Sequence, residues 1–392
     1  MLAGGVVGLP PAADNLSSEN DDSVAPAGLV LDGERIVRVL ATSEVPTAPG
    51  RVLDFRPHLL APGTIDVHTH GAVGCSFSSG PPEDTLAVCR YRATTGATAL
   101  LPTITGQWEE LIIALAKLGA LAGATGQHLT GAAILGIHVE GPFLNPERKG
   151  AIDVATMRPP GVDDLRRLQD AAGGWIKMMT IAPELPGALT VIEEMARLGI
   201  VPSIGHSDAS YETVLAAASA GARKSTHTYN AMRPLQHRDP GTVGGILADD
   251  RLVAELIADG VHVHLGAIRV LLNAKGPAGT VLVTDGVRYA GLPEGDYERP
   301  GRGRLTVAEG AAKTDDGTIA GSVSPIDRNL RLLRDSAGVT TNDLFTMAAA
   351  VPARLLGLST KGTLVPGADA DFAVYDAELR CKATFVGGQR VF

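Results

Sequence analysis

Eight polar residues stand where chemistry is easiest to build, at the ends of short apolar runs: His68, His70, Glu140, His206, His227, His262, His264 and Asp285. In Ile65-Asp-Val-His-Thr-His70 two histidines lie two apart. On a strand such residues share a face, so both imidazoles can reach one ion; taken alone, either is equally a satisfied core histidine. Gly136-Ile-His-Val-Glu-Gly-Pro-Phe143 ends an apolar strand with a carboxylate before Gly-Pro, so the strand stops where Glu140 projects. The plainer role for a lone Glu there is a solvated cap or ion-pair partner. Gly205-His-Ser-Asp208 and Thr226-His-Thr-Tyr-Asn-Ala-Met232 repeat the arrangement with a histidine. Glu140, His206 and His227 together supply the three ligands of an open catalytic zinc-type site. Val283-Thr-Asp-Gly286 closes a later strand with Asp285. An aspartate beside a metal-activated water can accept its proton and return it to a leaving amine, as amide hydrolysis demands. By itself it reads as an Asx-turn or a helix cap. Five candidate ligands and an aspartate, all ending strands, favour the site over coincidence.

The elements that must position them follow from the pattern between Ala61 and about Ala350, where short β-branched runs alternate with Ala/Leu-rich segments of helical period. The expected strands are Thr64–His68, Thr98–Pro102, Ile134–Val139, Ile176–Ile181, Val201–Ile204, Lys224–Thr228, Leu252–Ile257 and Val281–Thr284. Expected helices include Trp108–Ala122, Leu189–Leu198, Tyr211–Ala220 and Asp343–Leu356. Eight strands with intervening helices predict an α/β fold, a (β/α)₈ TIM barrel, whose catalytic groups gather at the carboxyl ends of the strands. Gly28–Gly33 and Arg35–Leu40 around an Asp-Gly turn, with Gly362–Gly367, Asp371–Tyr375 and Ala383–Val386, predict a small β-sandwich built from both chain ends. The expected division is 1–60 and 346–392 for the small domain, the latter including a helix, and 61–345 for the barrel. Ala13–Ser23 is polar, acidic and aperiodic, and reads as a mobile loop or insertion.

With 392 residues and 45% hydrophobic content, the chain can bury one large core and a smaller satellite. A net charge of −9 argues against a nucleic-acid partner, while leaving room for an anionic substrate held by a few local donors. Three cysteines, Cys75, Cys89 and Cys381, lack metal-site spacing and are odd in number, which favours a reducing compartment. No apolar run is long enough to span a bilayer, and Met1–Asn20 has no charged segment followed by an apolar one. A cytoplasmic protein without a membrane partner is expected.

His-Val-Glu-Gly-Pro-Phe, Gly-His-Ser-Asp-Ala, Thr-His-Thr-Tyr-Asn-Ala-Met, His237-Arg-Asp-Pro-Gly241, Ala258-Asp-Gly-Val-His-Val-His264 and Thr-Asp-Gly, in that order, resemble the N-acetylglucosamine-6-phosphate deacetylases of the amidohydrolase superfamily. The likeness extends through Ala290–Tyr297, Gly317–Ser322, Val351–Gly357 and Gly362–Asp371. It implies that Glu140, His206 and His227 hold the principal divalent ion, with zinc first and iron, manganese or cobalt as alternatives. His68 and His70 correspond to a pair that some members use for a second ion. Asp285 would be the general acid/base and His262 would face the substrate. Asn230, the backbone at Ala231, and Arg238 would meet the phosphate, Arg238 across a homodimer interface. His264 can simply pack against its neighbour. Two departures bear on the substrate. Ile152 follows Lys149-Gly-Ala151 where members usually carry a histidine that contacts the sugar, and isoleucine can neither donate nor accept. Arg288 stands where small residues commonly follow the aspartate, either adding charge near the pocket or simply solvated. Another N-acetylated amino sugar or its phosphate, a cyclic amide, and a non-catalytic sugar-phosphate-binding role stay open as alternatives.

Overall fold

The computed structural model describes residues 2–6, 25–41, 52–124, 130–299, 303–308 and 310–392. Its centre is a set of parallel strands: β1 (Thr64–Thr69), β2 (Ala97–Ile104), β3 (Ile137–Glu140), β4 (Ile176–Ile181), β5 (Val201–Ile204), β6 (Lys224–Ser225), β7 (Ala254–Ile257) and β8 (Thr280–Val283). β1 to β6 pair in sequence order in one ladder, with the short Ala133–Ile134 beside β2. β7 and β8 form a second parallel ladder. Parallel bridges Lys224 to Val253 and Thr69 to Gly286 join the two at both edges. Every residue of β1, β2, β7 and β8 is buried. Strands covered on both faces bury both sets of side chains, so the polar residues within them, Asp66, His68 and Glu255, are buried as well.

Helices intervene: α1 (Pro82–Ala93), α2 (Trp108–Ala124), α3 (Val162–Ala171), α4 (Ala188–Arg197), α5 (Tyr211–Ala220), α6 (Gly241–Ala248), α7 (Leu265–Lys275) and, after a long insertion, α8 (Ile326–Leu332). α5 shows how local sequence sets such an element. Ser210 Oγ accepts the Thr213 N–H at its start, and Gly221, at φ 125°, ends it. Leu111, Leu115 and Leu118 of α2 join Ile134, Ile137 and Val139 in the main core.

Both chain ends enter one sheet. Leu53–Pro62 pairs in parallel with Leu2–Val6 on one side and antiparallel with Phe372–Tyr375 on the other, and the hairpin Ala25–Asp32/Arg35–Ala41 and Cys381–Val386 extend it. The expected sandwich is thus a single seven-stranded hydrogen-bonded sheet, because Leu53–Pro62 threads the two ends into one ladder. That sheet encloses Leu29, Ile36, Leu60, Phe372 and Phe385, and Ile36 exchanges backbone hydrogen bonds with the Gly367-Ala368 segment. Gly63, between this sheet and β1, has no room for a side chain: a Cβ there would lie 2.0 Å from Thr98 Cγ2.

Further expectations change, among them Ile134–Val139, which divides into Ala133–Ile134 and Ile137–Glu140. β6 stops at Ser225 rather than Thr228, because His227 turns into left-handed backbone. Asp343–Leu356 is helical as expected but not α-helical throughout: Thr341–Phe345 and Val351–Leu355 flank a wider π-helical turn at Thr346–Ala350, with Pro352 just beyond it. Gly362–Gly367 is turns rather than strand. Between β8 and α8 lies an unpredicted four-stranded antiparallel sheet, Gly295–Arg299, Gly303–Ala308, Ala311–Thr314 and Ile319–Ser322. Ala13–Ser23 falls outside the described residues.

Candidate active site

Glu140 is the last residue of β3, and His206, His227 and Asp285 each follow within two residues of the ends of β5, β6 and β8. Seven non-glycine residues among those described adopt left-handed φ, and four of them, His206 (47°), His227 (31°), Ala231 (52°) and Asp285 (47°), line one cavity. Each such conformation costs on the order of 1–3 kcal/mol. The chain turns sharply here to aim side chains inward, and the surrounding packing must sustain the strain.

Two groups of potential ligands meet. Glu140 Oε1 lies 3.2 Å from His206 Nε2 and 3.1 Å from His227 Nε2, and those two nitrogens are 3.1 Å apart. On the other side, Asp285 Oδ1 lies 3.3 Å from both His68 Nε2 and His70 Nε2, which are 3.2 Å apart. Glu140 touches both groups, its Oε2 being 3.2 Å from His70 Nε2. His206 Nδ1 donates to the Arg148 carbonyl at 2.8 Å, so in the neutral ring Nε2 is a bare lone pair. Lone pairs of two imidazoles and a carboxylate converging at about 3 Å call for a cation, and this N/O set suits a borderline divalent metal. The residues therefore fit a metal group.

The electrostatics of these residues point the same way. Burial would raise the Glu140 carboxyl, but the surrounding imidazoles, His68 foremost, hold it well below the carboxylate range. Asp285 behaves alike: burial opposes ionisation, and His68 and His70 outweigh it. Burial pushes His70 down, yet the carboxylates of Asp285 and Glu140 bring it up to about 10. Positive charge is what this cluster demands.

His262 lines the same cavity, and its Nδ1 donates to Asp259 Oδ2 at 2.7 Å, an oxygen that also accepts from Ser322 Oγ at 2.8 Å. Burial lowers the His262 pKa, but Asp259 overcomes this and raises it, which favours a proton on Nε2 as well. Nδ1 being engaged, Nε2 is the nitrogen left to donate to a ligand. The cavity has a volume of about 1280 Å³ and is also lined by Asn230, Ala231, Ile152 and Arg288. Asn230 Nδ2 is buried without a partner among the described residues, a donor free for a ligand. Arg288 lines the cavity while its guanidinium donates to the Gly74 carbonyl. His68 lies fully buried behind His70.

Two candidates fall elsewhere. His264 N-caps α7, its Nδ1 accepting the Gly266 N–H, and sits exposed outside the cavity. Arg238 is not brought to its own chain's cavity: the Pro234–Arg238 stretch is solvent-exposed, with Arg233 and Asp239 paired at its base. Sequence reasoning missed Glu255, which holds His68 and the His227 backbone, Lys224, which pairs with Glu255, and Asp259, which holds His262. The signal was present in Leu252-Val-Ala-Glu-Leu-Ile257, a charge inside an apolar strand, because such a residue is buried only when paired.

The amidohydrolase family matches residues 59–391. The N-acetylglucosamine-6-phosphate deacetylase of Bacillus subtilis (strain 168) is 36% identical over 342 residues, covering 85% of each chain. An N-acetylgalactosamine-6-phosphate deacetylase of Escherichia coli O157:H7 is 33% identical over 343 residues, 87% of this chain and 90% of that one. Among solved structures, the N-acetyl-D-glucosamine-6-phosphate deacetylase of Mycobacterium smegmatis superposes with a TM-score of 0.88 at 32% identity, covering 100% of this chain and 99% of that one. A mutant of that protein, of equal TM-score and identity and covering 100% of this chain and 98% of that one, was solved in complex with N-acetyl-D-glucosamine-6-phosphate. With the family matching most of its length and such relatives beyond 30% identity, the chain belongs to the amidohydrolase family.

Proposed function

We infer that this amidohydrolase hydrolyses the acetamide of N-acetylglucosamine 6-phosphate to glucosamine 6-phosphate and acetate. The observation that carries the reading is the meeting of Glu140, His206 and His227 with His68, His70 and Asp285 beside a cavity that also holds Asn230, Ala231 and His262. The names of the relatives support the sugar. The frame is read as a closed (β/α)₈ barrel, residues 61–345, supported by the bridges at both edges of the ladders, with 1–60 and 346–392 forming the small β domain.

A divalent ion held by Glu140, His206 and His227, with a second by His68, His70 and Asp285 where both positions fill, supplies Lewis-acid polarisation of the amide and acidifies the attacking water; zinc is the first expectation, with iron, manganese or cobalt suiting the same donors. Asp285, kept ionised by its neighbours, takes the proton of that water and returns it to the departing amine. His262, fixed by Asp259, donates to the carbonyl oxygen as charge develops there. Asn230 and the backbone at Ala231 receive the phosphate, and Arg238 completes that contact from the second copy in a homodimer. The three free cysteines support a reducing, cytoplasmic setting.

Acetate release from a panel of N-acetylated sugars, each with and without a 6-phosphate, tests the reading. The glucosamine phosphate is expected to be turned over best, and release from none of the phosphorylated sugars refutes it. Ile152, apolar and lining the cavity, makes N-acetylgalactosamine 6-phosphate the second substrate to watch.

A further inference from the structure

We propose that Glu255 is a positioning residue that commits His68 to binding a divalent ion through Nε2 and ties the two ligand groups into one unit. The proposal rests on the metal-dependent reading above and names the residue that organises it. Glu255 sits in β7, fully buried, and is a member of neither ligand group. Its Oε1 accepts two hydrogen bonds of 2.7 Å, from His68 Nδ1 and from the His227 backbone N–H. Its other oxygen takes the ammonium of Lys224, also fully buried, which donates in addition to the Ser225 carbonyl at 3.0 Å.

A carboxylate can only accept, so the proton between Glu255 and His68 belongs to Nδ1. That leaves Nε2 of the neutral ring bare, and Nε2 is the atom facing Asp285 Oδ1 and His70 Nε2. The same oxygen grips the backbone N–H of His227, a residue held in left-handed backbone whose ring belongs to the other ligand group. One atom thus sets the tautomer of a ligand in one group and the backbone of a ligand in the other. Lys224 explains how a carboxylate is tolerated at that depth. The pair is neutral as a unit, so Glu255 supplies geometry without altering the net charge of the ligand cluster.

A purely structural role, stapling β6 to β7, predicts that any well-packed replacement serves. Two double variants separate the ideas. In E255Q/K224M the amide oxygen can still accept from His68 and His227 while methionine removes the ammonium. In E255L/K224M no acceptor remains. Zinc per chain is measured by elemental analysis after dialysis at graded free zinc, and ¹⁵N shifts of the His68 ring report its tautomer. Wild type and E255Q/K224M are expected to bind two ions with His68 protonated at Nδ1. E255L/K224M is expected to bind the second ion roughly 10- to 100-fold more weakly, the usual cost of losing such a support, with His68 no longer confined to that tautomer.

Equal second-ion affinity in all three proteins overturns the proposal, and so does an equal loss in both doubles. The ¹⁵N measurement on wild type alone is decisive even if neither double variant folds: a His68 ring with a bare Nδ1 overturns it. A wild-type chain that binds no ion refutes the functional reading instead, while the tautomer still decides the role of Glu255.

Discussion

The carboxyl ends of the parallel strands and the sheet made by the two chain ends are both buried, yet they are filled by opposite kinds of residue. Around Glu140 the chain sequesters imidazoles, carboxylates and the Lys224 ammonium, and bends three of the residues after β5, β6 and β8 into left-handed backbone. In the terminal sheet Leu29, Ile36, Leu60, Phe372 and Phe385 form an apolar cluster, with the buried Asp371 beside Phe372 paired to Lys361, and Phe372 stacks on Phe385 with centroids 4.5 Å apart. The first region holds strain and uncompensated lone pairs; the second holds apolar area. Chemistry and stability are therefore lodged in different places, and separate perturbations should reach them independently.

The largest effect tests the first region as a whole. Removal of divalent ions with a chelator is expected to bring acetate release to background while far-ultraviolet circular dichroism stays unchanged, since the parallel ladders are held by backbone pairing and apolar packing. Verified metal-free protein turning over at the original rate would mean that the converging lone pairs do something else. The second region is probed by Phe372→Ala. Phe372 is fully buried, so the loss should be about 3–5 kcal/mol of stability, read from the urea midpoint. Under native conditions turnover should stay within about twofold of wild type, as truncation of an apolar side chain there leaves the strained turns in place. A large fall in turnover from the folded variant would break the separation.

A smaller and more local effect is expected from Asp285→Asn. At φ 47° asparagine is among the few residues that tolerate the backbone as well as aspartate does, so the substitution removes the proton carrier without adding strain. Turnover should fall by at least ~10²-fold, the scale of a positioned general acid/base. Metal content measured in the same sample must show that the ion at Glu140, His206 and His227 is retained. Near-normal turnover by such a protein would remove Asp285 from proton transfer and turn attention to His262.

What the sequence disclosed about these regions follows from how local each signal is. β1, β4 and β5 are legible because each is a short run rich in Ile, Val and Met, and the histidines at or just after the ends of β1 and β5 stand out against that background. Glu255 and Lys224 are less legible because each is explained only by the other, across two strands that the sequence separates. Asp259 gains its meaning from His262 and from Ser322, the last residue of the four-stranded insertion. That insertion carries little pattern of its own: in Gly303–Ala308 only Leu305 and Val307 are buried, and alternation over so short a span is weak. The segment Asp343–Leu356 has helical periodicity throughout, and periodicity alone does not reveal the wider turn before Pro352. The phosphate-binding roles proposed for Asn230 and Arg238 rest on family resemblance rather than on spacing.

Arg238 offers the mildest and most discriminating test, because it belongs to neither region. It is exposed, lies outside the cavity of its own chain, and has no partner among the described residues, whereas nearby Arg233 is committed to Asp239 at 2.5 Å. A contribution to phosphate binding therefore requires a second copy to present the guanidinium. Charge-assisted hydrogen bonds contribute about 1.5–3 kcal/mol, and solvent screening places this one at the low end. Arg238→Ala should accordingly raise KM for the 6-phosphorylated substrate by about tenfold, at about 1.4 kcal/mol per decade, with kcat nearly unchanged because the contact is remote from the scissile amide. The unphosphorylated sugar should show no such shift. Added salt should weaken wild type toward the variant, and so should dilution into the range where sedimentation shows single chains. Equal losses for phosphorylated and unphosphorylated sugars would end the phosphate role. A KM shift that persists unchanged in single chains would end the shared-pocket reading while leaving Arg238 as a residue of its own chain's rim.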